Sequence, residues 1–337
     1  MTNYWKRCRS LVPWACRLIS SRILALACAL TFVTLTSAPS AAQSWLDNFE
    51  SYPLGSFPSA NWTPSGNNGT SIVNSTSASP TQSVQMFGVV GGCWAALMHR
   101  PLSVSPPYTI QLYARNGNET INGCHAIRAS VQLNSGPSWT YPGRLLGTFG
   151  SNGDFLTNWP TVTTGPAYPL LNWVKVQITY ELPDSKHVRM RYWINGKYYR
   201  TVTTTQSSSE TQFSWLALES GEGTSWFDDV SVTSGLPTLT TTILTSTPNP
   251  SNLGQAVTFT AKVTSKSGTP PDGETLYFMK GNKVLGTGTL SAGTATFTTS
   301  AFKTGTTTIK AVYLSDSTFP NNGFAGSNSN TVTQVVQ

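Results

Sequence analysis

The chain has 337 residues, 21 Lys and Arg against 14 Asp and Glu, a formal charge of +7 and only 10% charged residues. Five of the 21 cations and none of the 14 acids fall within residues 1–42, so the rest of the chain carries 16 cations against 14 acids, close to neutral. That balance excludes the extended basic surface with which a protein grips nucleic acid, and no nucleic-acid partner is expected.

The cations Lys6, Arg7, Arg9, Arg17 and Arg22 precede an apolar run from Ile23 to Leu35, which ends in the small residues Ser40-Ala41-Ala42. This order predicts a secretory signal peptide over residues 1–42, cut before Gln43, and hence a secreted or cell-surface protein. The run is shorter than the roughly 20 residues that cross a bilayer, and no later segment comes closer, so no membrane span is expected. A lipidated Cys28 is the alternative, for which Ala25-Leu26-Ala27 is a poor approach. Of the five cysteines only Cys93 and Cys124 follow the leader. In an exported chain they are expected to form a disulfide, closing a loop of about 30 residues for about 3 to 4 kcal/mol. A metal site of Cys93, Cys124, His99 and His125 is the competing reading, and it lacks the close Cys-x-x-Cys pairing usual for zinc.

From Gln43 to Gly235 the pattern is strand-like. Ile110, Leu112 and Ala114 alternate with Gln111, Tyr113 and Arg115, and Val174, Val176, Ile178 and Tyr180 with Lys175, Gln177 and Thr179. Period-two alternation marks half-buried antiparallel strands. Val188, Met190, Tyr192 and Ile194 continue it until Asn195-Gly196 supplies the positive-φ pair of a tight hairpin. Frequent turn residues and the lack of a convincing amphipathic helix predict a two-sheet sandwich over residues 43–235. Trp45, Trp62, Trp94, Trp139, Trp159, Trp173, Trp193, Trp215 and Trp226 all lie in this segment, and no Trp follows it. Such a shift in composition marks a second core.

Residues 236–337 open with a Pro- and Thr-rich junction, Leu236 to Thr247, and then read as about seven short strands. Val257, Phe259, Ala261 and Val263 alternate with Thr258, Thr260 and Lys262, and turn signals recur at Pro248-Asn249-Pro250, Asp272-Gly273 and Gly281-Asn282. A smaller sandwich is predicted, with no cysteine to bridge its sheets.

Several motifs carry family resemblances. The opening Phe49-Glu50, the strand Trp173 to Tyr180, the Trp193-Ile194-Asn195-Gly196 hairpin and the closing Asp228-Asp229-Val230-Ser231-Val232 resemble concanavalin A-like and laminin-G-like jelly-roll domains, and also MAM-type domains. Pro248-Asn249-Pro250-Ser251, Val257-Thr258-Phe259-Thr260-Ala261, Leu285-Gly286-Thr287 and Ala311-Val312-Tyr313 resemble a bacterial Ig-like repeat, whose members are extracellular spacers and adhesive modules. The resemblances imply an all-β chain, a jelly-roll sandwich followed by a smaller Ig-like one.

Four carboxylates, Asp47, Glu50, Asp228 and Asp229, are expected near one another because the first and last strands of such a sandwich commonly lie side by side. Hard oxygen ligands suit calcium, and related jelly rolls often hold a structural cation at this junction; solvated or hydrogen-bonded acids are the other reading. Asp228 and Asp229 are adjacent on a strand, so both can serve one ion only through a local distortion. For a ligand, Trp193 shares a face with Arg189 and Arg191, and Tyr198 or Tyr199 lies across the hairpin. With Trp139 in a loop, Trp193, Arg189, Arg191 and Tyr199 make the candidate binding set, suited to sugar rings that stack on aromatic faces.

Catalytic patterns are weak. Glycoside hydrolysis needs two carboxylates flanking a cleft, and Glu219 with Glu222, in Glu219-Ser220-Gly221-Glu222-Gly223, reads as a loop. His187 with Arg189 and Arg191 does not establish a polysaccharide lyase, and the chain has no Gly-x-Ser-x-Gly or His-Glu-x-x-His motif. The expected function is non-catalytic binding of a glycan by the jelly roll, with the Ig-like domain as spacer. Adhesion to an extracellular protein surface is the alternative, and the sequence leaves oligomeric state open.

Overall fold

The computed structural model describes residues 44–66, 69–88, 96–119, 127–136, 144–150, 154–157, 163–168, 170–206, 213–315 and 323–337. The expected leader, the Cys93–Cys124 disulfide, and Trp139 lie outside the described residues. Those described contain strands and no helix. The all-β expectation holds: a jelly-roll sandwich is followed by an Ig-like one.

One sheet of the larger sandwich runs in the order β13 (Lys197–Thr205), β12 (His187–Ile194), β11 (Val174–Glu181), β6 (Tyr108–Asn116), β15 (Gly223–Ser234), β4 (Ser83–Gly88), β3 (Thr70–Val73), and β1 (Trp45–Asp47) adds to β15. The other runs β10 (Thr163–Ala167), β9 (Asp154–Thr157), β8 (Arg144–Gly150), β7 (Ile127–Asn134), β14 (Trp215–Ser220), β5 (Ala96–Pro101), β2 (Thr63–Gly66). All pairings are antiparallel, and the alternating residues sort the faces. Ile110, Leu112, Ile178, Tyr180, Met190 and Tyr192 of the first sheet meet Met98, Val131, Leu133, Leu216 and Leu218 of the second in one continuous core. Tyr108 and Tyr180 stack there with ring centroids 5.2 Å apart.

The predicted hairpin joins β12 to β13, with φ of 48° at Asn195 and 71° at Gly196. First and last strands pair as expected, Asp47 opposite Val230. The smaller sandwich packs β16 (Thr240–Thr247), β17 (Val257–Ser265) and β20 (Thr294–Thr299) against β19 (Lys283–Thr289), β18 (Thr275–Lys280), β21 (Gly305–Tyr313) and β22 (Ser327–Val336). Its core centres on Phe259, Phe278, Ile309 and Tyr313, with Phe297 packed on it. The junction is shorter than its composition suggested. Thr240–Thr247 is a full strand paired with β17, because β-branched threonine fits a pleated surface and Leu244 turns into the core.

The two sandwiches belong to one compact unit, Ala42–Gln337. Strand β11 explains part of this. Its core-facing residues are apolar, yet outward-facing Lys175, Gln177, Thr179 and Glu181 are also buried. The Lys175 ammonium donates to the carbonyls of Leu314 and Ser315, just past β21.

Candidate functional site

Trp193, Arg191 and Arg189 do share the outward face of β12, since Val188, Met190, Tyr192 and Ile194 point into the core. The structure turns much of that face toward the Ig-like sandwich. Trp193 is only 3% exposed, and the cations are already engaged: Glu181 pairs with Arg189 at 2.8 Å and with Arg191 at 3.0 Å. A register shift between Tyr192 and Trp193 places Tyr198 opposite Trp193, their rings edge to face at 5.7 Å. Tyr199, expected on the binding face, instead packs against the jelly-roll core, its hydroxyl accepting from Arg200. A bulge exchanges which of two consecutive residues points outward.

The four carboxylates divide between two structural duties. Asp47 accepts from the Tyr52 hydroxyl at 2.6 Å, the Trp62 indole at 2.9 Å and the Phe49 N–H at 3.1 Å, and the Arg100 guanidinium lies 3.6 Å away. Arg100 is itself held over the Trp45 ring at 3.7 Å. Asp228, Asp229 and Glu50 grip a different segment. Asp228 accepts from the Ala78 and Ser79 N–H groups, and Asp229 from the Ser79 hydroxyl at 2.7 Å. Glu50 accepts from the Thr81 and Gln82 N–H groups. The distortion required for both aspartates to reach one partner is present: β15 bulges between Asp228 and Ser231, and Asp229 has a φ of 47°. Among the described residues no three His, Cys, Asp or Glu are placed to hold a metal ion. With Asp47 committed to Arg100 and to four neutral donors, Asn61 among them, the quartet does not fit a single calcium site.

Burial, and then the neighbouring Asp229, push the Asp228 carboxyl up to about 8 against its backbone donors. For Glu50, hydrogen bonds from Thr81 and Gln82 outweigh burial and hold it below the usual range.

A third cluster was not assembled by sequence reasoning. On the second sheet, Met98, Leu216, Leu218, Ala129, Val131 and Leu133 face the core, so their neighbours Leu97, His99, Trp215, Ala217, Glu219, Ser130, Gln132 and Asn134 face away from it. Register aligns them in rows. His99, Ala217 and Gln132 lie side by side, flanked by Leu97, Glu219 and Ser130 on one side and Pro101, Trp215 and Asn134 on the other. The His99 and Trp215 rings meet edge to face at 5.4 Å.

These groups face outward, yet most are out of water. His99 and Asn134 are each 2% exposed and Gln132 8%. His99 Nδ1 meets the Ser65 hydroxyl at 3.0 Å, while its Nε2 and the Asn134 Oδ1 are buried with no hydrogen-bond partner among the described residues. An unpaired buried polar atom costs about 1–3 kcal/mol, so such atoms point to a missing partner. Burial holds His99 below its usual pKa, which keeps it neutral, and raises Glu219 to about 7, with the Ser130 hydroxyl pulling the other way at 3.2 Å. Gln132 also donates to Glu219. Glu219 is thus a strand residue, whereas the glycines after it suggested a loop. The signal was present in Trp215-Leu216-Ala217-Leu218-Glu219, whose period of two matches Ser130-Val131-Gln132-Leu133-Asn134.

Fold and surface define a jelly-roll sandwich with a polar, aromatic-bearing outer face, joined to an Ig-like sandwich. Residues 244–337 match the family described as bacterial Ig-like domain (group 3). No curated protein matches the sequence. Among solved structures, an alginate lyase is similar at 11% identity and a TM-score of 0.39, over 56% of this chain and 96% of the other. An endo-β-1,4-glucuronan lyase from the fungus Trichoderma reesei has 10% identity and a TM-score of 0.37, over 57% and 95%. The CBM22-2 xylan-binding domain from Paenibacillus barcinonensis has 11% identity and a TM-score of 0.32, over 57% and 99%. Likeness at this level assigns neither ligand nor activity.

Proposed function

We propose that the chain is an exported glycan-binding protein, and that the jelly-roll sandwich, residues 43–235, takes a saccharide on the face formed by His99, Trp215, Glu219, Gln132 and Asn134. The observation that carries this reading is a pair of buried atoms without a partner among the described residues, His99 Nε2 and Asn134 Oδ1, on residues facing away from the core beside an aromatic ring. Sugar hydroxyls donate and accept, so they can satisfy an amide oxygen and an imidazole nitrogen together, while Trp215 offers an apolar surface to a ring. A neutral His99 and a Glu219 poised to stay protonated below about pH 7 add a further donor without bringing net charge to the face. Strands β2, β5, β14 and β7 carry one carboxylate, Glu219, where paired-carboxylate hydrolysis uses two. This supports binding without turnover. The leader-like N-terminal sequence supports action outside the cell.

The test is retention of the purified chain on immobilised neutral and acidic polysaccharides, compared with Trp215→Ala and His99→Ala. Saturable retention weakened at least tenfold in both variants is expected, with no new reducing ends or unsaturated products released. Retention on none of them would sink the reading, and product release would make the protein an enzyme.

A further inference from the structure

Between the two sandwiches lies a cleft of about 560 Å³, within the range of small-ligand sites. Its jelly-roll wall is the outward face of β12 and β13, carrying Arg191, Trp193, Lys197 and Tyr198; its other wall includes Leu239, Thr240 and the first residues of β22, among them Asn328. The cleft is held open by a close-fitted seam beside it. Lys175 reaches the Leu314 and Ser315 carbonyls, and a Cβ on Gly196 would stand 2.6 Å from the Tyr313 carbonyl oxygen. The walls are therefore fixed relative to one another, and a ligand would not have to order them.

The lining has a definite chemistry. Tyr198 is 49% exposed, a large aromatic surface left in water with Trp193 supporting it edge-on. Among the described residues no acidic side chain lines the cleft, whereas Arg191 and the exposed Lys197 do. Glu181, outside the lining, is shared by Arg189 and Arg191, and Asp184 also acts on Arg189, so Lys197 adds the positive excess of this surface. On the opposite wall lies Asn328, whose Oδ1 has no hydrogen-bond partner among the described residues.

We propose that this cleft is a second saccharide site, separate from the His99 face, and that it takes a carboxylate-bearing sugar unit of an acidic polysaccharide. The sugar ring lies on Tyr198, its carboxylate faces Lys197 and the residual charge of Arg191, and a hydroxyl donates to Asn328. On this account the Ig-like sandwich is one wall of a binding site as well as a spacer.

The test is calorimetric titration of the full chain with tetramers of galacturonate, glucuronate and mannuronate, against a neutral galactose tetramer. Saturable binding of at least one acidic tetramer is expected, weakening as salt is raised. Tyr198→Ala and Lys197→Met should each weaken it at least tenfold, and Asn328→Asp, on the opposite wall, should abolish it by like-charge repulsion. Tyr198→Ala and Lys197→Met should weaken binding by the same factor in a Trp215→Ala background as in the unsubstituted chain, which separates this site from the first. Binding of no acidic tetramer, equal binding of the neutral one, or unchanged affinity in all three cleft variants would overturn the proposal.

Discussion

Gly326, just before β22, lies flat against Gly196 at the tip of the β12–β13 hairpin: a Cβ added to Gly326 would stand 2.6 Å from the Gly196 Cα and 2.9 Å from the Tyr313 oxygen. Both obstacles are backbone, so they cannot rotate away. Gly326→Ala should force the seam apart, at a cost of about 1–3 kcal/mol by analogy with overpacked cores. Gly326, unlike Gly196, does not have a positive φ, so the substitution tests space alone. Scanning calorimetry should show the unfolding of the two sandwiches further separated in temperature than in the unsubstituted chain. An unchanged thermogram would mean that the seam does not couple them.

Asp47 should be the most sensitive carboxylate in the jelly roll. It is 5% exposed and serves Tyr52, Trp62, the Phe49 N–H and Arg100 together. Removing one partner of a buried ion pair strands the other, typically for about 3–5 kcal/mol. Asp47→Ala should lose about that much in urea denaturation, and Asp47→Asn less, since an amide oxygen still accepts. A loss below about 1 kcal/mol in Asp47→Ala would show that the cluster is solvated in solution.

Much of this architecture was legible because a sandwich buries alternate residues, and the alternation around Ile110, Val176 and Met190 is unbroken. Pairing of the first and last strands followed from the same logic. Side-chain roles were harder to read, for two physical reasons. A bulge at Tyr192–Trp193 changed which tyrosine accompanies Trp193, and bulges leave no mark in composition. The outward face of β12 also looked like open surface, because period-two patterning within one domain cannot register that another domain covers it. Thr240–Thr247 was misread for a related reason: threonine is polar enough for a linker and branched enough for a strand.

Asp228 and Asp229 form a coupled pair whose behaviour NMR can follow through their carboxyl carbons. Burial comes first and Asp229 second among the causes that raise Asp228 to about 8. In Asp229→Asn the second cause disappears and the first persists, so Asp228 should titrate lower than in the unsubstituted chain but still above the ordinary aspartate range. No movement would mean that the two carboxyls do not interact across the bulge, contrary to their shared hold on Ser79.

Glu219 makes stability depend on pH in a direction opposite to that of an ion-paired carboxylate. Its folded pKa is raised from 4.5 to about 7, so between those values the folded chain binds more protons than the unfolded one. Its contribution is fully present below pH 4.5 and is lost as pH rises through about 7. At 1.36 kcal/mol per pH unit the loss is on the order of 3 kcal/mol. Glu219→Gln keeps the shape of the protonated acid and cannot ionise. The variant should match the unsubstituted chain near pH 4.5 and become the more stable of the two above pH 7, when both are unfolded by urea across that range. Curves that stay parallel would show that Glu219 ionises normally and that the His99 face is wetter than its burial indicates, which would also weaken the case for a saccharide there.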